Sequence, residues 1–364
     1  MIHHDSRSYE VAVSEAAAKF QTKIEEMIHA SVPRVTRVIE QVENDVPEDM
    51  VVAGRTLRFD GSNGALAILP ANEPRAIIHK HALYQIGDRA KIRNMNTVVN
   101  ELISRGDWGR ELAAHNLNEV YSHLNGERFL LRQVRGELRG FLSDQYRRLD
   151  SRPLLEAFVG AIKRYGARPV DGFALQTKMN VRALLPMVFE PFPGEIMAFG
   201  AQLSDSDFGD GKLSVSGFVL RMWCTNLATT EDVLSQVHLG RKLSDAVAFS
   251  QRTLELDTQT MASAINDVAG HVLGSGAVNN YLSLVKKAND EKIEPAQIHA
   301  WAKKNLTKAE TEKAVEKFGS ADVEMLPPGQ TRWRWSNALS WLANETEDEH
   351  RKLELQEFAG CGLK

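Results

Sequence analysis

The sequence predicts an α+β protein in which a largely antiparallel, strand-rich core over residues 127–228 is flanked by N- and C-terminal helical regions. Three observations carry that expectation. Apolar residues recur at helical spacing before residue 45 and again after residue 229. Between 127 and 228, short apolar runs and period-two alternation are separated by glycine and polar turns. With 364 residues, 43% of them hydrophobic and 25% charged, the chain has the composition of a globular protein large enough for a substantial core.

The sequence divides into four stretches: helical at 1–49, strands then helices at 50–126, the strand-rich core at 127–228, and helical again at 229–364. In the first, Val11, Ala17, Phe20, Ile24, Met27 and Ile28 form an apolar stripe, and Pro33 is expected to break the helix before a second stripe of Val35, Val38, Ile39 and Val42. From Met50 to Ala71, glycine turns separate short strand-like runs. Helices are expected near 81–92, 96–103 and 108–123.

The core opens with Arg128–Val134 and Glu137–Leu142, two strand-like runs joined by the turn dipeptide Arg135-Gly136. Ser151 is placed to cap a helix, with Pro153 just inside its start and Gly166 just past its end. Further strands are expected at 169–177, 181–189, 195–203 and 212–224. In the last, Leu213, Val215 and Val219 alternate with Ser214, Ser216, Phe218 and Leu220. After residue 229, Thr307 with Glu310 and Thr346 with Glu349 fit capping boxes, and Pro295 suits a first helical turn.

A net charge of −4 provides no global attraction for nucleic acid or an anionic membrane. The two cysteines, Cys224 and Cys361, cannot form a disulfide framework or a thiolate metal site, and they imply reduced thiols in a cytoplasmic setting. No apolar run is long enough to span a bilayer, and no secretory leader is recognisable.

One local exception to the acidic balance stands out. Arg128, Arg132, Arg135, Arg139, Arg147, Arg148 and Arg152 face only Glu137, Asp144 and Asp150 within the same stretch, an excess of four positive charges. Guanidinium forks match phosphate oxygens, and Arg128 and Arg132 share a strand face by spacing. Six of these arginines (128, 132, 135, 139, 147 and 148) are candidates for contacting single-stranded nucleic acid. The competing reading pairs them with carboxylates, either of this chain or of a neighbouring subunit.

Asp205, Asp207 and Asp210 are weak candidates for a hard cation. The twelfth position counted from Asp205 is Ser216 rather than the glutamate a calcium loop needs, and a polar connection between strands explains them equally well. His79 and His81 lack further ligands at metal spacing. The glycines at 270, 274 and 276 fit neither a phosphate loop nor a dinucleotide fingerprint, so no cofactor and no enzymatic site is expected. Trp333 and Trp335 alternate with Arg332 and Arg334, which fits either base stacking or anchorage of a terminal helix.

Several of these segments, taken together, resemble a family. Arg128-Phe-Leu-Leu-Arg132 through Leu142-Ser-Asp-Gln-Tyr-Arg-Arg-Leu-Asp150 is similar to the hallmark of the phage- and plasmid-borne domain of unknown function 932. So are His81-Ala-Leu-Tyr-Gln-Ile86, Leu203–Gly211 with Arg221–Asn226 and His238-Leu-Gly240, Trp335–Ser340, and Leu355–Gly360. One departure is Leu227, where the family pattern would have glycine after the asparagine. The resemblance implies a mobile-element setting but no reaction. Its hairpin–helix–strand order is also similar to phage single-strand annealing proteins of the RecT and Erf kind. It therefore implies a self-associating, single-strand DNA-binding or annealing protein of recombination or replication, with a non-enzymatic structural or interaction protein as the alternative and a metal-dependent enzyme as a third possibility.

Overall fold

Two sheets, each roofed by helices, account for the strands. The computed structural model describes residues 14–69, 75–222, 227–236, 250–321 and 326–362. The α+β class holds, with antiparallel pairing dominant and helical regions at both ends. The strands expected as one core are shared between two sheets, because pairing partners come from far along the chain.

The first sheet contains β1 (Glu48–Ala53), β2 (Arg58–Asp60), β3 (Ala67–Leu69), β4 (Ala76–Ile78), β5 (Arg128–Val134) and β6 (Glu137–Ser143), in the order β1-β5-β6-β4-β3-β2. All its pairs are antiparallel except β4 with β6. The β5–β6 turn uses positive φ at both Arg135 (52°) and Gly136 (78°), the conformation that matches the twist of a two-residue hairpin. Three helices, α2 (Lys80–Arg89), α3 (Met95–Ser104) and α4 (Asp107–Ser122), close this sheet's core around Phe59, Tyr121, Phe129 and Phe141. Gly109 lets α3 and α4 approach, since a Cβ there would lie 1.9 Å from the Leu102 carbonyl.

The second sheet is wholly antiparallel, in the order β11-β10-β9-β8-β7. Its strands are β7 (Arg168–Ala174), β8 (Met179–Phe189), β9 (Met197–Asp205), β10 (Leu213–Arg221) and β11 (Leu227–Gln236). One face packs Val181, Ala183, Leu203, Val215 and Val219 against α5 (Ser151–Arg164), α6 (Gln251–Leu273) and α7 (Ser275–Asp290). The other face meets α1 (Glu15–Asn44) through Leu184, Ala198, Phe218 and Leu220. A third core joins α8 (Pro295–Asn305), α9 (Lys308–Gly319), α10 (Arg332–Asn344) and α11 (Glu349–Cys361) around Trp335, Leu339 and Leu355.

Four local expectations change, the first being that the stretch from Thr229, expected to be helical, opens with β11 because the second sheet takes it as an edge strand beside β10. Pro33 does not break α1, which runs on through it. Proline inside a helix costs about 3 kcal/mol, and burying Phe20, Ile24, Ile28, Val35 and Val38 along one stripe supplies more than that. Ser151 is the first residue of α5 rather than its cap. Thr346 caps nothing: its hydroxyl donates to Leu342 O, and Asp348 caps α11. The boxes at Thr307–Glu310 and the proline at 295 form as expected. Among the described residues no helix is long and apolar enough to cross a membrane.

Candidate functional site

The arginine segment lies at the junction of the two sheets, and two of its side chains, Arg132 and Arg139, are turned inward. Arg132, on β5, is 1% exposed. Its Nε donates to Asp49 Oδ1 and one terminal nitrogen to Asp150 Oδ1, each at 2.7 Å. The other terminal nitrogen donates to the Asp207 carbonyl, also at 2.7 Å. Burial works against this charge, but Asp49, Asp207 and Asp150 outweigh it and raise the pKa of the guanidinium. Arg139, on β6 and also buried, donates to Glu137 at 2.8 Å, to Asp45 at the end of α1 at 2.6 Å, and to Gln176 O at 3.3 Å.

The remaining arginines follow the same pattern to a lesser degree. Arg147 makes a bidentate pair with Asp257 of α6 at 2.6 and 2.7 Å, and Arg148 lies 3.4 Å from Asp49. Arg135, beside Asp45 at 3.6 Å, remains 66% exposed, and Arg128 faces solvent. Arg152 pairs with Glu156 along α5.

These side chains therefore do not line one groove. Arg128 and Arg135 sit at opposite ends of β5, about 23 Å apart along a seven-residue strand. The candidates that spacing placed beside each other, Arg128 and Arg132, separate into one outside and one inside, because the β9–β10 connection covers the Arg132 end of the strand. Arg132 and Arg139 are spent on carboxylates of their own chain and cannot reach a phosphate without leaving them.

The end of β9 holds Asp205 and the connection after it holds Asp207 and Asp210, and the three are separated. Asp205 is fully buried and accepts from Ser151 Oγ at 2.9 Å. Asp207 accepts from the Ser151 N–H at 2.8 Å, so it supplies from a distant loop a hydrogen bond to the first turn of α5. Asp210 accepts from the Thr177 hydroxyl and faces His81 at 3.8 Å and His350 at 3.6 Å. No group of three His, Cys, Asp or Glu side chains among the described residues is arranged to hold a metal ion.

Asp49, Asp150, Asp205 and Asp207 gather around Arg132, with Arg148 beside Asp49 and Lys178 at the edge of the adjoining cleft. Burial pushes the Asp207 carboxyl up to about 7; Arg132 opposes the shift, and Asp205 and Asp150 add to it. Burial likewise lowers the pKa of His81, against the pull of Asp210. His81 also bonds Phe208 O through Nε2 at 3.1 Å, while His79 caps α2. Beside the junction lies a cleft of about 30 Å³, bordered by Asp45, Thr177, Lys178, Asp205 and Asp207, with room for a water or two.

Three further arginines are buried, and nothing in the sequence marked them as buried except at Arg182. Arg182 on β8 bonds Gln202 at 3.1 Å and Gln356 of α11 at 2.6 Å. Arg221 on β10 chelates Glu195 and bonds Asn337 of α10 at 2.9 Å. Arg334 donates to the carbonyls of Phe318, Pro327 and Ser320. A signal existed for Arg182, an arginine interrupting the apolar run 181–189. Trp333 and Trp335 are both buried, and so anchor α10 rather than stacking on bases. Cys224 and the family-like residues at 238–240 lie outside the described residues.

No family model, curated protein or solved structure matches the chain.

Proposed function

We propose that the chain is a self-associating, non-enzymatic interaction protein, in which the arginine segment joins the two sheets and the α2–α4 layer makes the contact. The carrying observation is where apolar surface remains uncovered. Eleven large hydrophobic residues are exposed among the described residues, and five of them lie between 84 and 112: Tyr84, Ile92, Val98, Trp108 and Leu112. Trp108 is 60% exposed at the start of α4, and tryptophan is the residue type most enriched at the centre of interfaces.

A second copy of the chain suits this layer. Residues 80–94 carry Lys80, Arg89, Lys91 and Arg93 against Asp88, whereas 95–122 carry Glu101, Asp107, Glu111 and Glu119 against Arg105 and Arg110. In a two-fold pairing the basic end of one copy meets the acidic end of the other. Sedimentation equilibrium tests this. The protein should be a dimer, and Trp108→Asp with Leu112→Asp should make it monomeric while its Tm is retained. A wild-type monomer at high micromolar concentration sinks the proposal.

A second reading, binding of single-stranded nucleic acid, is supported by the guanidiniums that stay at the surface: Arg128, Arg135 and Arg152. Phosphate contacts would make such binding fall steeply with salt. Gel shifts at two salt concentrations should then weaken when Arg128 and Arg135 become alanine, and an unchanged affinity rejects this reading.

A further inference from the structure

The α1-facing side of the second sheet changes character along its strands. Register places Leu184, Gly200 and Phe218 in one row and Val188, Ala198 and Leu220 in the next, all under α1. Nearer the β9–β10 connection the rows become Asn180, Ser204 and Ser214, then Arg182, Gln202 and Ser216. All six side chains of these polar rows are buried, none more than 8% exposed. Hydrogen bonds run along both rows, from Asn180 to Ser204 at 2.7 Å and from Arg182 to Gln202 and on to Ser216 at 3.1 and 3.0 Å.

What lies over them is α11. Gln356 receives the Arg182 guanidinium, and His350 stands 3.6 Å from Asp210. Of the apolar residues of α11, Leu355 and Ala359 face away into the core shared with α8, α9 and α10, whereas the buried Leu353 is outside that core, and the helix also runs along β11. The fit across the polar rows is incomplete: Asn180 Oδ1 on the sheet and Gln356 Nε2 on the helix are buried without a partner. Each orphan of this kind has given up its hydrogen bond to water without a replacement. The first turn of α10 is where two cores meet. Trp333, in the first turn of α10, belongs to the main core, while Trp335, two residues on, belongs to the C-terminal one.

We propose that the C-terminal helices α8–α11 form a cap that parts from the second sheet as one body, pivoting at the first turn of α10 and uncovering the two polar rows. Across the polar rows both surfaces are hydrogen-bonding, so water replaces what opening breaks there, including the partners the two orphans lack; opening also breaks the Arg221–Asn337 bond between β10 and α10. The apolar cores on either side stay closed. Polar interfaces between parts of a chain are the ones that open short of global unfolding.

Native-state hydrogen exchange on the full chain decides the matter. Amides of α10 beyond Trp335 and of α11 should exchange together, at least tenfold faster than those of α5 and α6. In the double variant Arg182→Met with Gln356→Leu, which makes the interface apolar, exchange in α11 should slow about tenfold with α5 and α6 unchanged. If the slowest α11 amides of the wild type exchange only in step with α5 and α6, the cap does not open separately and the proposal fails. The wild-type comparison stands even if the double variant folds poorly. An α11 that exchanges early while α10 beyond Trp335 stays protected also overturns it, since that is fraying of one helix.

Discussion

Replacing Asp207 by asparagine should stabilise the protein at alkaline pH and do little in acid. The carboxyl of Asp207 titrates at about 7 in the folded chain against 3.8 when unperturbed, because burial among Asp205 and Asp150 disfavours its charge. A folded state that holds the proton more tightly is favoured at low pH, and that advantage disappears as pH rises from 3.8 through 7. Each tenfold step in proton affinity is about 1.4 kcal/mol, which sets a ceiling of about 4 kcal/mol on the loss. Asp207 keeps part of its surface in water, so a loss of about 2 kcal/mol is the working figure. Asparagine retains an oxygen for the Ser151 N–H, carries no charge at any pH, and leaves the Asp207 carbonyl that Arg132 uses in place. Urea unfolding of both proteins at about pH 5 and about pH 8 measures the difference. A variant that loses the same stability at both pH values would refute the electrostatic account and leave only a damaged hydrogen bond.

Other expectations follow from the same junction and its surroundings. Arg132→Met strands the largely buried Asp49, while the half-exposed Asp150 regains water, so it should cost about 3 kcal/mol in equilibrium unfolding. Arg128→Ala, at an exposed strand end, should stay within about 0.5 kcal/mol of wild type by the same measurement. Gly109→Ala drives a methyl to 1.9 Å from the Leu102 carbonyl, so α3 must shift, at a cost of about 1–3 kcal/mol. That shift should also weaken self-association, which sedimentation would detect. Asp257→Ala breaks the bidentate pair with Arg147 and should lower Tm by a few degrees, with no effect when Arg147 is already alanine.

What could be read from the sequence was what neighbours in sequence decide. Arg135-Gly136 set its own turn, Thr307 and Glu310 capped their own helix, and the alternation of β10 correctly put Val215 and Ser216 on opposite faces. Pro33 and Ser151 defied local rules because distant groups outweighed them: a long buried stripe on the second sheet for one, and Asp205 and Asp207 for the other. The arginine segment shows the same division. Its charge excess and strand spacing were legible, but its partners at 45, 49, 207 and 257 come from other elements, and no spacing rule reaches them. The split of strands between two sheets was hidden for the same reason, since β1 finds β5 across three helices.

The Arg132 junction also imposes an order on synthesis. Its carbonyl ligand at Asp207 lies 75 residues downstream. At ribosomal rates of about 5–20 residues per second, the first sheet waits about 4–15 s between making this arginine and receiving that ligand. Throughout that interval the nascent chain holds a guanidinium whose burial cannot be completed, so the first half of the protein leaves the ribosome unfinished however well its own hairpin has formed. Slowing translation after residue 143 should therefore lengthen the nascent chain's exposure to chaperones and proteases rather than help the first sheet to fold alone.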